Sequence, residues 1–458
     1  MADVIPLAKP RLLRTRAALR RRAAAAVVYA VVAANAGVVV WLWVHGGNLH
    51  PHSTGELLTS IGRITGLLSA YLALLQVILL ARLPALERWV GFDRLSVWHR
   101  WNGHACIDLV VAHVVFTVWG YALMDKLPIT KEVTTMLGGG VYPGMITATI
   151  GTAMLLGVVA TSIVIVRRRL SYEWWYAVHL LAYAGIALSW FHEIPTGNEL
   201  VLDRTAADYW RGLYVATLAV LVLFRFVAPG VQFLRHRLRV AEVLAEAPGV
   251  VSLRIVGCNL DRLRAEPGQF FLWRFLDRRR MWSAHPFSLS AAPDGSSLRI
   301  TVKALGDHTA RLDGVRPGTF VLAEGPFGTF TDSRRRRDKV LMIAGGIGIT
   351  PIRSMLDRIR GDVVVVYRAL TEADLIFRDE LDELARRRDI DIHYVVGDHR
   401  GEGARLLSPD HLRELVPDAA DRYVYLCGPP AMTDAIGSNL RAAGVPRRNV
   451  HLERFALT

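Results

Sequence analysis

Apolar residues run in uninterrupted helix-length stretches through the first half of the chain and then give way, after Phe233, to short alternating patterns. The first stretch, Ala23 to Val44, carries no charge and is long enough to span a bilayer, which takes about 20 residues. Further apolar stretches run from Ile64 to Ala81, Gly103 to Leu123, Met145 to Val166, Trp174 to Phe191 and Leu213 to Val227. They predict a six-helix transmembrane bundle over 1–232. Beyond it, strands such as Val251 to Val256, Phe270 to Phe275 and Leu298 to Val302 are separated by Gly and Pro turns, the texture of a small antiparallel β-barrel over 233–336. From 337 to 458, buried-strand patterns (Val340 to Ala344, Val363 to Tyr367, Ile390 to Val396, Tyr423 to Leu426) alternate with helical ones such as Asp379 to Arg388, which predicts a parallel, Rossmann-like α/β domain.

Charge changes this picture by orienting it. The formal net charge is +14 over 458 residues, with 21% charged and 52% hydrophobic. This is too apolar for a soluble protein and too charged for a bare membrane bundle. The arginines flank the apolar stretches: Arg11 to Arg22 before the first, Arg82, Arg88, Arg94 and Arg100 after the second, Arg167 to Arg169 after the fourth, Arg235, Arg237 and Arg239 after the sixth. These are alternate loops, so the positive-inside rule places both termini and the soluble half in the cytosol and argues against nucleic acid as the partner. A cleaved signal peptide would have a shorter apolar region, so the first helix is expected to be retained, and the lack of an organelle-type presequence fits a multi-pass protein of a bacterial plasma membrane. Cys106, Cys258 and Cys427 are too dispersed for a disulfide framework or zinc site.

Ionisable groups inside a bilayer are costly, which makes membrane histidines functional candidates. His99 and His113 lie 14 residues apart near and on the third stretch, on one helical face and roughly 21 Å apart in rise. His179 and His192, on the fifth, lie 13 apart, roughly 20 Å in rise but turned about 140° on an ideal helix, an offset that tilt or distortion must correct. Two levels of paired imidazoles suit two hemes stacked between helices. His104 and Asp108 are either a structural pair or a second shell, and His45, His50 and His52 read as solvated.

The soluble half carries motifs of another kind. His285-Pro286-Phe287-Ser288 ends a barrel strand where a flavin ring can pack on Phe287 and meet a hydroxyl. Lys303, then Gly306-Asp307-His308-Thr309, offers a cation and turn amides to a pyrophosphate. The strand ending at Ala344 runs into Gly345-Gly346-Ile347-Gly348-Ile349-Thr350-Pro351, and the strand ending at Leu426 into Cys427-Gly428-Pro429, both at the carboxyl edge where such sheets bind nucleotides.

Taken together, these residues resemble the ferric reductase and NADPH oxidase superfamily over essentially the whole chain. The resemblance implies a cytochrome b-like membrane domain in which His99 with His179 holds the cytosolic-side heme b and His113 with His192 the outer one. It implies FAD bound by His285, Pro286, Phe287, Ser288, Lys303, Gly306 and Thr309, and a nicotinamide site at Gly345, Gly346, Gly348, Thr350, Pro351, Cys427, Gly428 and Pro429. The Glu453-Arg454-Phe455 tail is similar to that of ferredoxin reductase-type modules, where an aromatic covers the flavin. Thr117 stands where animal NADPH oxidases carry a further histidine, which weakens a transfer of superoxide chemistry, and no EF-hand loop is visible. The implied activity moves electrons from NAD(P)H through FAD and two hemes to ferric iron or oxygen. Superoxide production specifically is the alternative, and a transporter or anchor fused to an inactive module is the reading from another class. Arg368, with Arg378 second, is the candidate for the 2′-phosphate of NADPH over NADH, and Arg63 for a heme propionate or an anionic acceptor at the outer face.

Overall fold

The computed structural model describes residues 10–138, 142–163, 166, 169–170, 172–306, 309–335, 337–398 and 405–454. The chain separates into two compact units, one built on Ala23–Leu86 and Phe92–Phe226, the other chiefly on Val227–Thr458.

The first unit is helical: α1 (Pro10–His45), α2 (Thr54–Leu79), α3 (Pro84–Val90), α4 (Phe92–Met124), α5 (Ile129–Gly138), α6 (Met145–Ser162), α7 (Tyr172–Thr196), α8 (Asn198–Leu202) and α9 (Arg204–Val222). Local chemistry sets several starts. The Ser53 hydroxyl accepts the Glu56 amide to open α2, and the Asp203 carboxylate accepts the amides of Thr205 and Ala206 to open α9. After α9 a π turn, Leu223–Val227, leads into α10 (Ala228–His236) in the second unit. Pro229 has no N–H to return to the carbonyl four residues back, which fits a change of hydrogen-bond register just there.

Five helical runs among the described residues are long and apolar enough to cross a membrane: Ala25–His45, Thr54–Leu79, Arg94–Met124, Met145–Ser162 and Arg204–His236. Five of the six expected spans thus meet that criterion, Arg204–His236 being the expected sixth. α7, the expected fifth span, has 25 residues but is not among these five; it carries Trp174, Trp175, Tyr176, His179, Tyr183, Trp190, His192 and Glu193 among its apolar residues.

Small residues set the closest helix approaches. A Cβ on Gly62 would lie 2.4 Å from the Thr117 hydroxyl, one on Gly66 2.6 Å from the His113 ring, and one on Gly120 2.7 Å from the Thr59 amide. α2 and α4 therefore meet along a seam only glycine permits. α6 and α7 meet the same way, a Gly151 Cβ falling 2.6 Å from the Gly185 carbonyl. Val39, Leu42, Leu67, Tyr71 and Trp210 form a buried cluster joining α1, α2 and α9.

In the second unit the expected closed barrel is replaced by two three-stranded antiparallel sheets. One has the order β1 (Arg239–Ala247), β2 (Val250–Val256), β5 (Ser297–Lys303); the other β4 (His285–Ser288), β3 (Phe270–Phe275), β6 (Val321–Phe327). Among the described residues, the isolated bridges Arg239↔Phe320 and Leu289↔Ile300 run between them. Within the sheets, register shifts fall between Val240 and Glu242, Ala245 and Ala247, and Phe270 and Leu272. Alternating side chains still make one shared core, with Leu253, Ile255, Phe271, Trp273, Phe275 and Ile300 fully buried.

The C-terminal part is a five-stranded parallel sheet ordered β11 (Val450–Arg454), β10 (Tyr423–Gly428), β7 (Val340–Gly345), β8 (Val363–Ala369), β9 (Asp391–Val396). Both faces are covered. α11 (Ile349–Leu356) and α12 (Arg378–Arg388) contribute to one buried cluster, α13 (Pro409–Leu415) and α14 (Pro430–Ala442) to the other. Buried on two sides, β7 and β10 are apolar throughout. Strand order reverses between β7 and β10, the switch point where ligands sit in open α/β sheets.

Candidate functional site

The membrane unit brings the four histidines together as two facing pairs. The rings of His99 (α4) and His179 (α7) have centroids 6.1 Å apart, and those of His113 (α4) and His192 (α7) 6.2 Å apart. The offset expected from the 13-residue spacing does not separate them, and α7 is unbroken from Tyr172 to Thr196. Every Nδ1 is engaged by an oxygen. His113 Nδ1 donates to the Gly62 carbonyl at 2.7 Å and His99 Nδ1 to the Gln76 carbonyl at 3.3 Å. The Thr196 hydroxyl donates to the His192 carbonyl and accepts from His192 Nδ1 at 2.8 Å. The Ser162 hydroxyl donates to the Val158 carbonyl and lies 3.5 Å from His179 Nδ1. Since a carbonyl can only accept, the proton of His99 and His113 sits on Nδ1, and the two hydroxyls, already donating elsewhere, favour the same tautomer in His179 and His192. Each Nε2 then carries a lone pair, with no hydrogen bond to it among the described residues.

A metal bond of roughly 2 Å to each imidazole nitrogen, plus roughly 1 Å from nitrogen to ring centre, gives roughly 6 Å between ring centres, so each pair fits one metal ion between its rings. No group of three or more His, Cys, Asp or Glu side chains suited to a metal occurs among the described residues. A metal held by either pair would have to bring its remaining ligands with it, as the iron of heme does. His104 and Asp108 are exposed and join neither pair. Arg63, next to Gly62, donates to Asn48 Oδ1 at 3.0 Å, and Asn48 in turn donates to Glu199 Oε1 at 2.6 Å.

In the second unit, β4 carries the flavin motif. His285 and Phe287 stack with centroids 6.2 Å apart, and Ser288 is buried with its hydroxyl lacking any hydrogen-bond partner among the described residues. A buried orphan hydroxyl is costly unless something pairs with it, so Ser288 fits a cofactor edge. Lys303 forms an ion pair with Asp374 at 3.1 Å. The Thr309 hydroxyl accepts the amides of Leu305 and Gly306, closing that turn on itself. Asp307, His308 and Phe455 lie outside the described residues.

The two nicotinamide motifs meet at the switch point. β10 pairs with β7 so that Cys427 lies beside Ala344, and a Cβ on Gly348 would sit 2.5 Å from the Cys427 carbonyl. Gly345 and Gly428 touch, and the Met432 sulfur would lie 2.2 Å from a Cβ on Gly345. Gly346 adopts φ +52, a left-handed conformation that favours glycine. The Thr350 hydroxyl donates to the Ile347 carbonyl, and Pro351 and Pro429 sit at the starts of α11 and α14. Cys427 is fully buried, and burial, with Glu453 adding to it, pushes its thiol well above the usual range, so it packs as a neutral group. Arg368 donates to the carbonyls of Ala369, Val395 and Gly397 at the carboxyl edge, while Arg378 pairs with Glu372 and stacks over Tyr394.

Several residues of these sites escaped the sequence reading. Gln76, Ser162 and Thr196 orient the histidines, and only their helical placement beside a histidine could have signalled it. Asp374 and Glu380 link the flavin and nucleotide parts, Glu380 by accepting from both Arg299 and Arg353.

Residues 65–190 match the ferric reductase like transmembrane component, 238–331 an FAD-binding domain and 342–437 the oxidoreductase NAD-binding domain. Ferredoxin–NADP reductase B of Sorangium cellulosum is 34% identical over 188 residues, 37% of this chain and 77% of that protein. The glycine betaine monooxygenase reductase subunit of Chromohalobacter salexigens is 30% identical over 241 residues, 49% of this chain, and the chain spans 65% of that relative's length. The flavohem-like FAD/NAD binding domain of nitric oxide dioxygenase from Vibrio cholerae aligns over 48% of this chain and 98% of its own, at 24% identity and a TM-score of 0.41. The chain belongs to the NAD(P)H-dependent flavin oxidoreductases, in the ferric reductase/NADPH oxidase-like architecture that joins a ferric reductase-like transmembrane component to FAD- and NAD-binding domains.

Proposed function

We propose that the chain is a six-span plasma-membrane oxidoreductase that takes electrons from cytosolic NAD(P)H, by way of FAD and two b-type hemes, to ferric chelate or oxygen at the outer face. The observation that carries this reading is the double histidine pair, with ring centroids 6.1 and 6.2 Å apart and no hydrogen bond to any of the four Nε2 atoms among the described residues. In this reading the domains divide at 232/233 and 336/337, and α7 is the further span. Bound flavin would supply the conversion of a two-electron donor into single electrons, and bound heme the one-electron relay.

The chain's own residues do the rest. The acceptors at Nδ1 fix ring orientation and raise the basicity of Nε2. His99 with His179 and His113 with His192 would hold the two hemes, His113 with His192 on the side of the outer acceptor. Arg63 supplies a cation beside Gly62 for a propionate or an anionic acceptor. Ser288 and Phe287 hold the flavin edge and face, with Lys303, Gly306 and Thr309 toward the pyrophosphate and Phe455 as a cover. The glycine turn of 345–348 and Cys427–Pro429 leave backbone bare for the nicotinamide nucleotide, and Arg368 takes the 2′-phosphate.

Thr117 favours ferric chelate over dedicated superoxide production, because it packs a small hydroxyl against Gly62, 3.4 Å from His113 Nδ1, and offers no cation or imidazole. Heme content by the pyridine hemochrome assay tests the reading. Wild type should carry two hemes, and His99→Ala and His113→Ala one each; unchanged content in both variants would sink it. Anaerobic ferric chelate reduction, set against superoxide dismutase-sensitive cytochrome c reduction in air, then identifies the acceptor.

A further inference from the structure

The connection between β3 and β4 is firmly built, yet it presents its largest apolar side chain to solvent. Trp282 is 81% exposed, and Met281 and Leu276 are each 38% exposed. Asp277 accepts the amides of Arg279 at 3.0 Å and Arg280 at 2.9 Å, and it pairs with the buried Arg280 guanidinium, which also donates to the Arg311 carbonyl. The only nearby carboxylate in the loop is thereby spent. Arg278 and Arg279 are exposed, with no ion pair among the described residues. An ordered loop holding a bare tryptophan just after two exposed arginines that make no ion pair among the described residues has the composition of a membrane-interface contact.

Its neighbours place it at the bilayer end of this unit. The Leu276 amide donates to the Phe320 carbonyl at 2.8 Å, and the half-exposed Phe320 ring packs edge-on against Phe233 of α10 at 6.1 Å. α10 exposes Val231 and Leu234 and is the last part of the run Arg204–His236, which is long and apolar enough to cross a membrane. β1 begins at Arg239, just after that run ends.

We propose that this patch docks the flavin domain on anionic lipid headgroups beside its own membrane helix, with Trp282 and Met281 entering the interface and Arg278 and Arg279 meeting lipid phosphate. Charge favours lipid over the chain's own loops. The segment after the second span carries Arg82, Arg88, Arg94 and Arg100 against Glu87 and Asp93, the same sign as the patch. The docking rests on the proposed membrane topology, so the test must separate the two.

The full chain carrying Ser283→Cys in a Cys258→Ala background, the other two cysteines being buried, is labelled with an environment-sensitive fluorophore. It is reconstituted in phosphatidylcholine vesicles with or without phosphatidylglycerol, each containing a nitroxide lipid at headgroup depth. Flotation reports membrane insertion and flavin absorbance reports folding. The expected result is strong quenching in anionic vesicles, with the docked-to-free ratio falling roughly fivefold for each of Arg278→Gln and Arg279→Gln. A chain that floats and binds flavin, but whose label is unquenched or is quenched equally in both variants, overturns the docking alone. Shielding from aqueous iodide as strong in detergent as in vesicles would assign the patch to a contact within the protein and overturn it too. A chain that fails to float fails the topology.

Discussion

Asp374 accepts the Thr371 hydroxyl at 2.9 Å and pairs with Lys303 at 3.1 Å, and these contacts hold its carboxyl below the ordinary carboxylate range. A depressed folded pKa contributes stability that is fully present above the unfolded value, about 3.9 for Asp, and is lost as pH falls through the folded value. The melting temperature of Asp374→Asn should therefore lie below that of wild type by a gap that is constant above about pH 5 and narrows below about pH 4. Thermal scans followed by flavin fluorescence measure it, and a gap that widens on acidification contradicts the assignment. The same pair engages Lys303, the cation proposed to face the flavin pyrophosphate. Arg368 is equally committed, to three carbonyls, and lies at the carboxyl end of β8, where the proposed reading has it meet the 2′-phosphate of NADPH. Arg368→Ala should lower the ratio of NADPH to NADH activity by about tenfold, the worth of a charged hydrogen bond, and an unchanged ratio removes the assignment.

At the scale of elements, histidine positions were legible in the sequence because a titratable ring in an apolar stretch stands out. The glycines that let α2 approach α4 were not, since Gly62 and Gly66 read as neutral residues until a neighbouring helix is placed against them. Their role gives a sharp expectation. Gly66→Val pushes branched carbons into the His113 ring, 2.6 Å from where a single Cβ would stand. It should cost the heme of the His113–His192 pair and spare that of His99–His179, halving the heme content without unfolding the chain. Hemochrome assay with circular dichroism checks this, and full heme content would show that α2 can yield. α7 likewise falls outside the five runs that meet the apolar-length criterion, and the separation of the strands into two three-stranded sheets is invisible in an alternating pattern.

For the whole molecule, the order of parts was readable from the change of texture near Phe233 and from motifs whose spacing survives any detail of packing. The glycine motif at the end of β7 and the Cys-Gly-Pro motif at the end of β10 lie about 80 residues apart in sequence, and the strand order brings them side by side. What sequence could not supply was the way Asp374 and Glu380 tie the flavin and nucleotide parts, because both read as ordinary surface acids. The central claim, one electron path from nucleotide to a doubly ligated membrane centre, is tested most directly by a reduced-minus-oxidised spectrum of the detergent-purified chain, reduced by NADPH under argon, with FAD and heme quantified. The account predicts low-spin b-type bands from two hemes, both reduced by NADPH and lost in part in His113→Ala. Absence of heme, or hemes that NADPH leaves oxidised although FAD is bound, would contradict it.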